Sequence, residues 1–577
     1  MKWGRISVWI VTILLIAGAL RVGKSEMLKI QAEQPLLSLK LSLGNNYESV
    51  YSWQKETGEY FVFLPDDESL SQAQIQIPWG TQVSVDGTTL QRDQLCEGLA
   101  LNTPYALTVL NSHKETRSTI TFVASNNIPS IFLDTASGDM DYIHMEKGNG
   151  EAGNMRLYLA DGTLAYQGNL EEIKGRGNAT WRDLDKKPYS LTLMDQADLL
   201  GMGNADEWIL LANGFDASNL RNKIVYDFAG QVCTVYSPEC QWVNLYRNGE
   251  YAGLYLLCER NEVGSNRLNI QEDNSFLVSS DLGRRLNEYG RDFFYTPCGL
   301  ALRIRYCSLP DDQLHKIWRA AEAAIMASDG VDPVTGKHWR ELIDEDSFAR
   351  KFLIEEIFGN VDAGSVSQFF YFDGADPSQG IVAGPIWDYD ITMGNPVNPG
   401  LTYPEQFHAL RPYFLSQTDV SLYYHLYQDP TFAANVKQLY KEEFRPQLTE
   451  LFENRVETYT NFIEAAARMN QIRWESTLRE TYDESVTRLV SFMKERLDFL
   501  DSLWLEGQVY CVVNTLGDTG AVVSYAVKPG QVLPPLPSKE TETRKWYRVD
   551  TDTPYDITQP IYEDVTIYLK TLSAAAD

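Results

Sequence analysis

The sequence predicts an α+β protein whose central domain has a strand-rich first half and a helical second half, flanked by small all-β domains. Three observations lead there. The chain has 577 residues, more than the usual ~100–200 of one domain. Apolar residues alternate at period two as far as about residue 310 and again beyond 508, whereas three-and-four spacing dominates between them. Hydrophobic residues make up 44% and charged residues 22%, the balance of a folded globular chain and not of a collagen, linker or disordered one.

Taken in order, residues 1–27 read as a signal peptide or membrane anchor. Lys2 and Arg5 precede the uncharged stretch 6–20 (ISVWIVTILLIAGAL), which has the n- and h-regions of an export signal and is short for a spanning helix of about 20 residues. Ala17-Gly18-Ala19 is the nearest match to a small-residue cleavage site. The expected location is therefore extracytoplasmic, secreted or anchored at the cell surface. Residues 28–126 carry short alternating segments at 37–43, 60–64, 73–77, 81–87, 105–111 and 118–124, the spacing of an immunoglobulin-like β-sandwich. No catalytic constellation lies there, so this part reads as a spacer or a module for a wall or surface ligand.

Residues 129–505 form the central domain. Asn248-Gly249 between two apolar runs is a strong hairpin signal. Residues 218–230 predict a helix capped by Ser218, and 315–328, 346–360 and 431–504 predict further helices. Residues 508–577 return to strands around VLPPLPSKETETRKW. Their order, with Val527–Pro535, Trp546-Tyr547 and YDITQPIYEDVTIYL, resembles the internalin-type (Listeria–Bacteroides) bacterial surface repeat, a small β-grasp-like module.

Net charge is −29, so nucleic acid and anionic membrane are not attracted by overall charge. Any phosphate site has to be a local basic pocket. The six His form no zinc spacing, and there is no nucleophile elbow. The seven Cys are neither a disulfide framework nor metal knuckles; Cys233 with Cys240, and Cys298 with Cys307, could close short loops in an oxidising compartment.

Three segments of the central domain can carry chemistry. In 173–193 (IKGRGNATWRDLDKKPYSLTL), Gly175 and Gly177 allow close backbone approach, Arg176 and Asn178 offer donors, and Lys186 and Lys187 begin a strand. A plain hairpin is the alternative. In 358–372 (FGNVDAGSVSQFFYF), Asn360 and Asp362 follow a helix and precede an aromatic strand, where a carboxylate can take a proton from a hydroxyl. In 381–395 (IVAGPIWDYDITMGN), Asp388 and Asp390 alternate out of an apolar strand and would point the same way, as oxygen ligands for Mg²⁺.

With LLANGFDASNLRNKIVYDFA at 210–229, YAGLYLLCERNEVGSNRLNI at 251–270 and the closing SFMKERLDFLDSLW, these segments make 129–505 resemble the spore coat protein H (CotH) kinase family, an atypical branch of the protein-kinase-like fold. The resemblance implies transfer of the ATP γ-phosphate to Ser or Thr of secreted or surface proteins. Asp362 would be the catalytic carboxylate, and Asp388 with Asp390 would hold Mg²⁺. Lys187 with Arg176 would neutralise phosphate, Asn178 would donate to it, and Glu259 would partner Lys187. Gln368 stands where the family places an Asn as second metal ligand. An acidic enzyme would favour basic, Ser-rich protein substrates. The alternative is a catalytically inactive kinase-like surface scaffold. A glycoside hydrolase is disfavoured, because Asp388 and Asp390 are too close in sequence for its carboxylate separation.

Overall fold

The computed structural model describes residues 36–111, 114–233, 236–281, 283, 292–310, 312–397, 403–410, 421–515, 522–549 and 551–572. The expected export segment 6–20 lies outside them. No helix among the described residues is long and apolar enough to cross a membrane. The chain divides into two compact units: one takes the chain as far as Asp134 with Met155–Gln167 and Asn244–Ala252, the other Thr135–Asn154, Gly168–Val243 and Gly253–Asp577.

In the first unit, Leu39, Leu41, Val50 and Val62 are fully buried on alternating positions, as period-two patterning requires. The strand Asn46–Gln54, too polar to show in that pattern, pairs with Ser38–Leu43 through Tyr51 and with Tyr60–Leu64 from Ser52 onward. The two faces expected of a sandwich are thus joined through this strand in one continuous order of eight. Its polar inward residue, Glu48, is held by Arg156 and by the Tyr158 hydroxyl at 2.8 Å. Asn248 and Gly249 have φ of 47° and 82°, the left-handed pair that an Asn-Gly hairpin turn demands.

The second unit begins with an antiparallel run in which Gly168–Gly175, Tyr189–Asp198, Asn204–Leu211 and Gly253–Glu259 pair in that order. A five-stranded sheet follows, ordered Phe293–Tyr295, Ala301–Cys307, Phe276–Asp281, Phe369–Phe372, Val382–Ala383. Helices Gln313–Met326, Glu345–Ile357, Val456–Trp474 and Tyr482–Trp504 are the longest of the helical part, with Leu422–Gln428, Pro430–Leu439 and Arg445–Glu450 between them in sequence. Asp344 caps the second of these by accepting the Ser347 N–H at 2.7 Å.

The helix expected from Ser218 starts later, at Arg221. Asp216, not Ser218, takes the Arg221 N–H at 2.9 Å, while the Ser218 hydroxyl donates to Asp216 and accepts the Leu220 N–H at 3.3 Å. The C-terminal strands are ordered Val522–Val527, Val509–Asn514, Val565–Thr571, Arg544–Arg548, with the central pair parallel. Trp546 is fully buried at their core with Cys511, Val513 and Ile567.

Candidate active site

A cleft of about 1590 Å³ opens in the second unit, lined by Arg176 and Asn178 from the first chemical segment, Asp362 from the second, and Asp388 and Asp390 from the third. Sequence-distant groups therefore share one wall-to-wall space. Lys147, Lys174, Arg260, Arg303, Arg305 and Arg479 also line it, interleaved with Glu146, Glu172, Asp183, Glu207 and Asp281, so the cleft carries both signs of charge in a chain of net charge −29.

Arg176 is the cation best placed for a ligand. Lys174 is paired with Glu172 at 2.6 Å and Arg260 with Glu207 at 2.7 Å. Among the described residues, Arg176 has neither an ion pair nor a side-chain hydrogen bond; its guanidinium lies 5.3 Å over the Trp387 ring. Loss of hydration lowers its pKa, opposed chiefly by the field of Asp388.

Lys187 goes elsewhere. Its ammonium donates to the Trp181 carbonyl at 2.6 Å and lies 5.4 Å over that ring, and it is not among the cleft-lining residues. Lys186 is buried, donating to the Leu254 carbonyl at 2.6 Å, and burial pushes it well below the ordinary lysine range. Glu259 does not meet Lys187: its oxygens accept from Arg267 at 2.5 Å, from the Tyr236 hydroxyl at 2.6 Å and from the Glu239 N–H at 2.7 Å. Gly175 also serves packing, since any side chain there would collide with the Trp181 ring. Gly177, with φ 82°, does need its conformational freedom.

The two aspartates of the third segment do not alternate along a strand. The strand covers only Val382–Ala383, and Asp388 has φ 72°. Side chains take the place of a neighbouring strand: Tyr226 Oη accepts the Asp388 N–H at 3.2 Å and Asn222 Oδ1 the Tyr389 N–H at 2.8 Å. The Ser367 hydroxyl donates to Asp388 at 2.8 Å. Burial, then the facing carboxylates of Asp388, Asp216 and Asp362, push Asp390 well above the usual carboxylate range, opposed by Arg221.

Among the described residues no three His, Cys, Asp or Glu side chains form a metal-binding cluster. Mg²⁺ does not need one, because it commonly binds through one or two carboxylates and substrate phosphates while keeping several waters. Asp388 and Asp390, both on the cleft wall, suit that donor set. Gln368 does not line the cleft; its Nε2 donates to the Val366 carbonyl at 3.2 Å and its Oε1 is buried without a partner among the described residues.

Sequence reasoning passed over the groups that hold these aspartates. Arg221 and Asp216 form a fully buried ion pair, and Arg221 also donates to the Thr392 carbonyl at 2.8 Å. Lys351 and Glu355, four apart on helix 345–357, are paired at 2.8 Å and both bond the Tyr389 hydroxyl. The i,i+4 spacing of opposite charges inside an apolar helix was the available signal.

The CotH kinase protein family model matches residues 172–500, more than half of the chain and spanning all three segments. The chain belongs to this family and is a kinase-like protein. Kinase-like families generally use ATP and Mg²⁺. No curated protein matches the chain.

Proposed function

We propose that the protein is an exported atypical protein kinase that transfers the γ-phosphate of ATP to Ser or Thr hydroxyls of secreted or surface proteins. The observation that supports this best is the cleft itself. It sets the Arg176 guanidinium, which has no ion pair among the described residues, on the same wall as Asp388 and Asp390, and a triphosphate with a divalent cation would suit both.

Arg176 would hold phosphate oxygens as a planar fork, and Asn178 would add a neutral contact. Asp388 and Asp390 would hold Mg²⁺, which supplies charge neutralisation on the β- and γ-phosphates when bound. Asp362 would orient the acceptor hydroxyl and take its proton as the new oxygen–phosphorus bond forms and the bond to the β-phosphate oxygen breaks. Lys187 and Glu259 have no part in this version, nor does the Gln368 side chain. The acceptor is expected to be basic and Ser-rich, drawn by the acidic surface.

Incubating the full chain with labelled ATP, Mg²⁺ and a Ser- and Lys-rich peptide tests the reading. Label transfer that disappears in Asp362→Ala and Asp388→Ala supports it. Absence of transfer in the wild type, with no Mg²⁺-dependent ATP binding, would point to the non-catalytic surface scaffold.

A further inference from the structure

The loops carrying Asp362 and the Asp388–Asp390 pair are joined beneath the cleft by one buried chain of side chains. Tyr389, between the two aspartates and fully buried, donates its hydroxyl to Glu355 Oε1 at 2.7 Å and accepts from Lys351 Nζ at 2.9 Å. The other carboxylate oxygen of Glu355 accepts from Asn360 Nδ2 at 2.6 Å. Asn360 Oδ1 in turn accepts the Asp362 N–H at 3.0 Å.

Each link has only one possible direction. Lys351 can only donate, so at that contact the Tyr389 hydroxyl oxygen accepts and its proton is left for Glu355, the ion-pair partner of Lys351. For the same reason Asn360 must turn its amino group to Glu355 and its oxygen to Asp362. All four of Tyr389, Lys351, Glu355 and Asn360 are 1% exposed or less, and none lines the cleft. They cannot touch a ligand there, and close packing leaves them little freedom to rearrange. The Tyr389 backbone is clamped as well, by Asn222 on its N–H and by Thr392 Oγ1 on its carbonyl at 2.6 Å.

We propose that Tyr389, Glu355 and Asn360 are positioning residues that fix the proton-accepting Asp362 relative to the cation-holding Asp388 and Asp390, so that damage at one end is felt at the other. This rests on the kinase reading above. Glu355 is the shared element: one oxygen serves each loop.

The test uses the full chain with two readouts, the Mg²⁺ concentration that half-saturates ATP binding by calorimetry, and kcat for the Ser- and Lys-rich peptide at saturating Mg²⁺ and ATP. Asn360→Ala contacts neither metal-side aspartate, yet should raise the half-saturating Mg²⁺ about 5- to 10-fold. Tyr389→Phe keeps the ring and leaves Asp362 untouched, yet should lower kcat about 10-fold. The double variant should be little worse than the poorer single one, as for residues acting in one network. Asn360→Ser and Glu355→Gln carry the same test if Asn360→Ala does not fold. Variants that each disturb only their own end, or that lower melting temperature while leaving both readouts at wild-type values, would overturn the inference and leave the kinase reading standing. A wild type without Mg²⁺-dependent ATP binding would remove both.

Discussion

The Arg176 guanidinium, with no ion pair among the described residues, costs hydration, offset in the free protein chiefly by the Trp387 ring and the field of Asp388. Arg176→Met should therefore leave the melting temperature unchanged or slightly raised while weakening Mg²⁺–ATP binding by about 10-fold or more, the scale of a lost charge-assisted contact. Thermal melting and calorimetry read the two halves. Lys187→Ala should change ATP affinity less than about 3-fold, because its ammonium is already spent on Trp181 and lies outside the cleft lining. The segment 173–193 showed in the sequence that basic donors gather there, but not which one faces the ligand. Along a strand entry one residue of register turns a side chain to the opposite face, and Gly175, legible as a site for close approach, lines the cleft and also makes room for Trp181. Asp362, by contrast, sits in a loop between a clear helix and a clear strand, so its place in the cleft needed no long-range knowledge.

Helix 345–357 carries the next level. Its periodicity was readable, but it buries Arg350, Lys351, Glu355 and Glu356, and a helix with inward charges looks amphipathic until its partners are known. Glu356 is paired with Arg496 of helix 482–504 at 2.9 Å, both side chains fully buried, and it accepts the N–H groups of His408, Ala409 and Leu410. Its partners lie far away in sequence, so no local pattern could reveal them. Arg496→Met leaves that carboxylate buried and unpaired, which typically costs about 3–5 kcal/mol. Denaturant unfolding of the variant should show a midpoint well below wild type; an unchanged midpoint would mean that Glu356 finds another partner or a proton. The Asp388–Asp390 segment failed as a strand for a related reason: Tyr226 and Asn222 on helix 221–232 occupy its backbone.

At the scale of the whole molecule, a pass along the chain yields contiguous blocks, whereas Met155–Gln167 and Asn244–Ala252 group with the first unit across long sequence separations. Only tertiary pairing decides that. All seven cysteines are free thiols, so the loop closures considered for Cys233–Cys240 and Cys298–Cys307 are not made; thiol titration of the denatured protein without reductant should count seven, and five or three would contradict it. Charge behaves differently at large and small scale. The chain repels polyanions overall, yet its cleft mixes cations with carboxylates and holds Arg176, which has no ion pair among the described residues, and that local arrangement is what the proposed phosphate contact rests on. The most direct measurement is a calorimetric titration of ATP into the full chain with and without Mg²⁺, repeated on Arg176→Met and Asp388→Ala. Binding that requires Mg²⁺ and is lost in both variants is the predicted result; ATP binding indifferent to Mg²⁺ and to both substitutions, or none in the wild type, would contradict it.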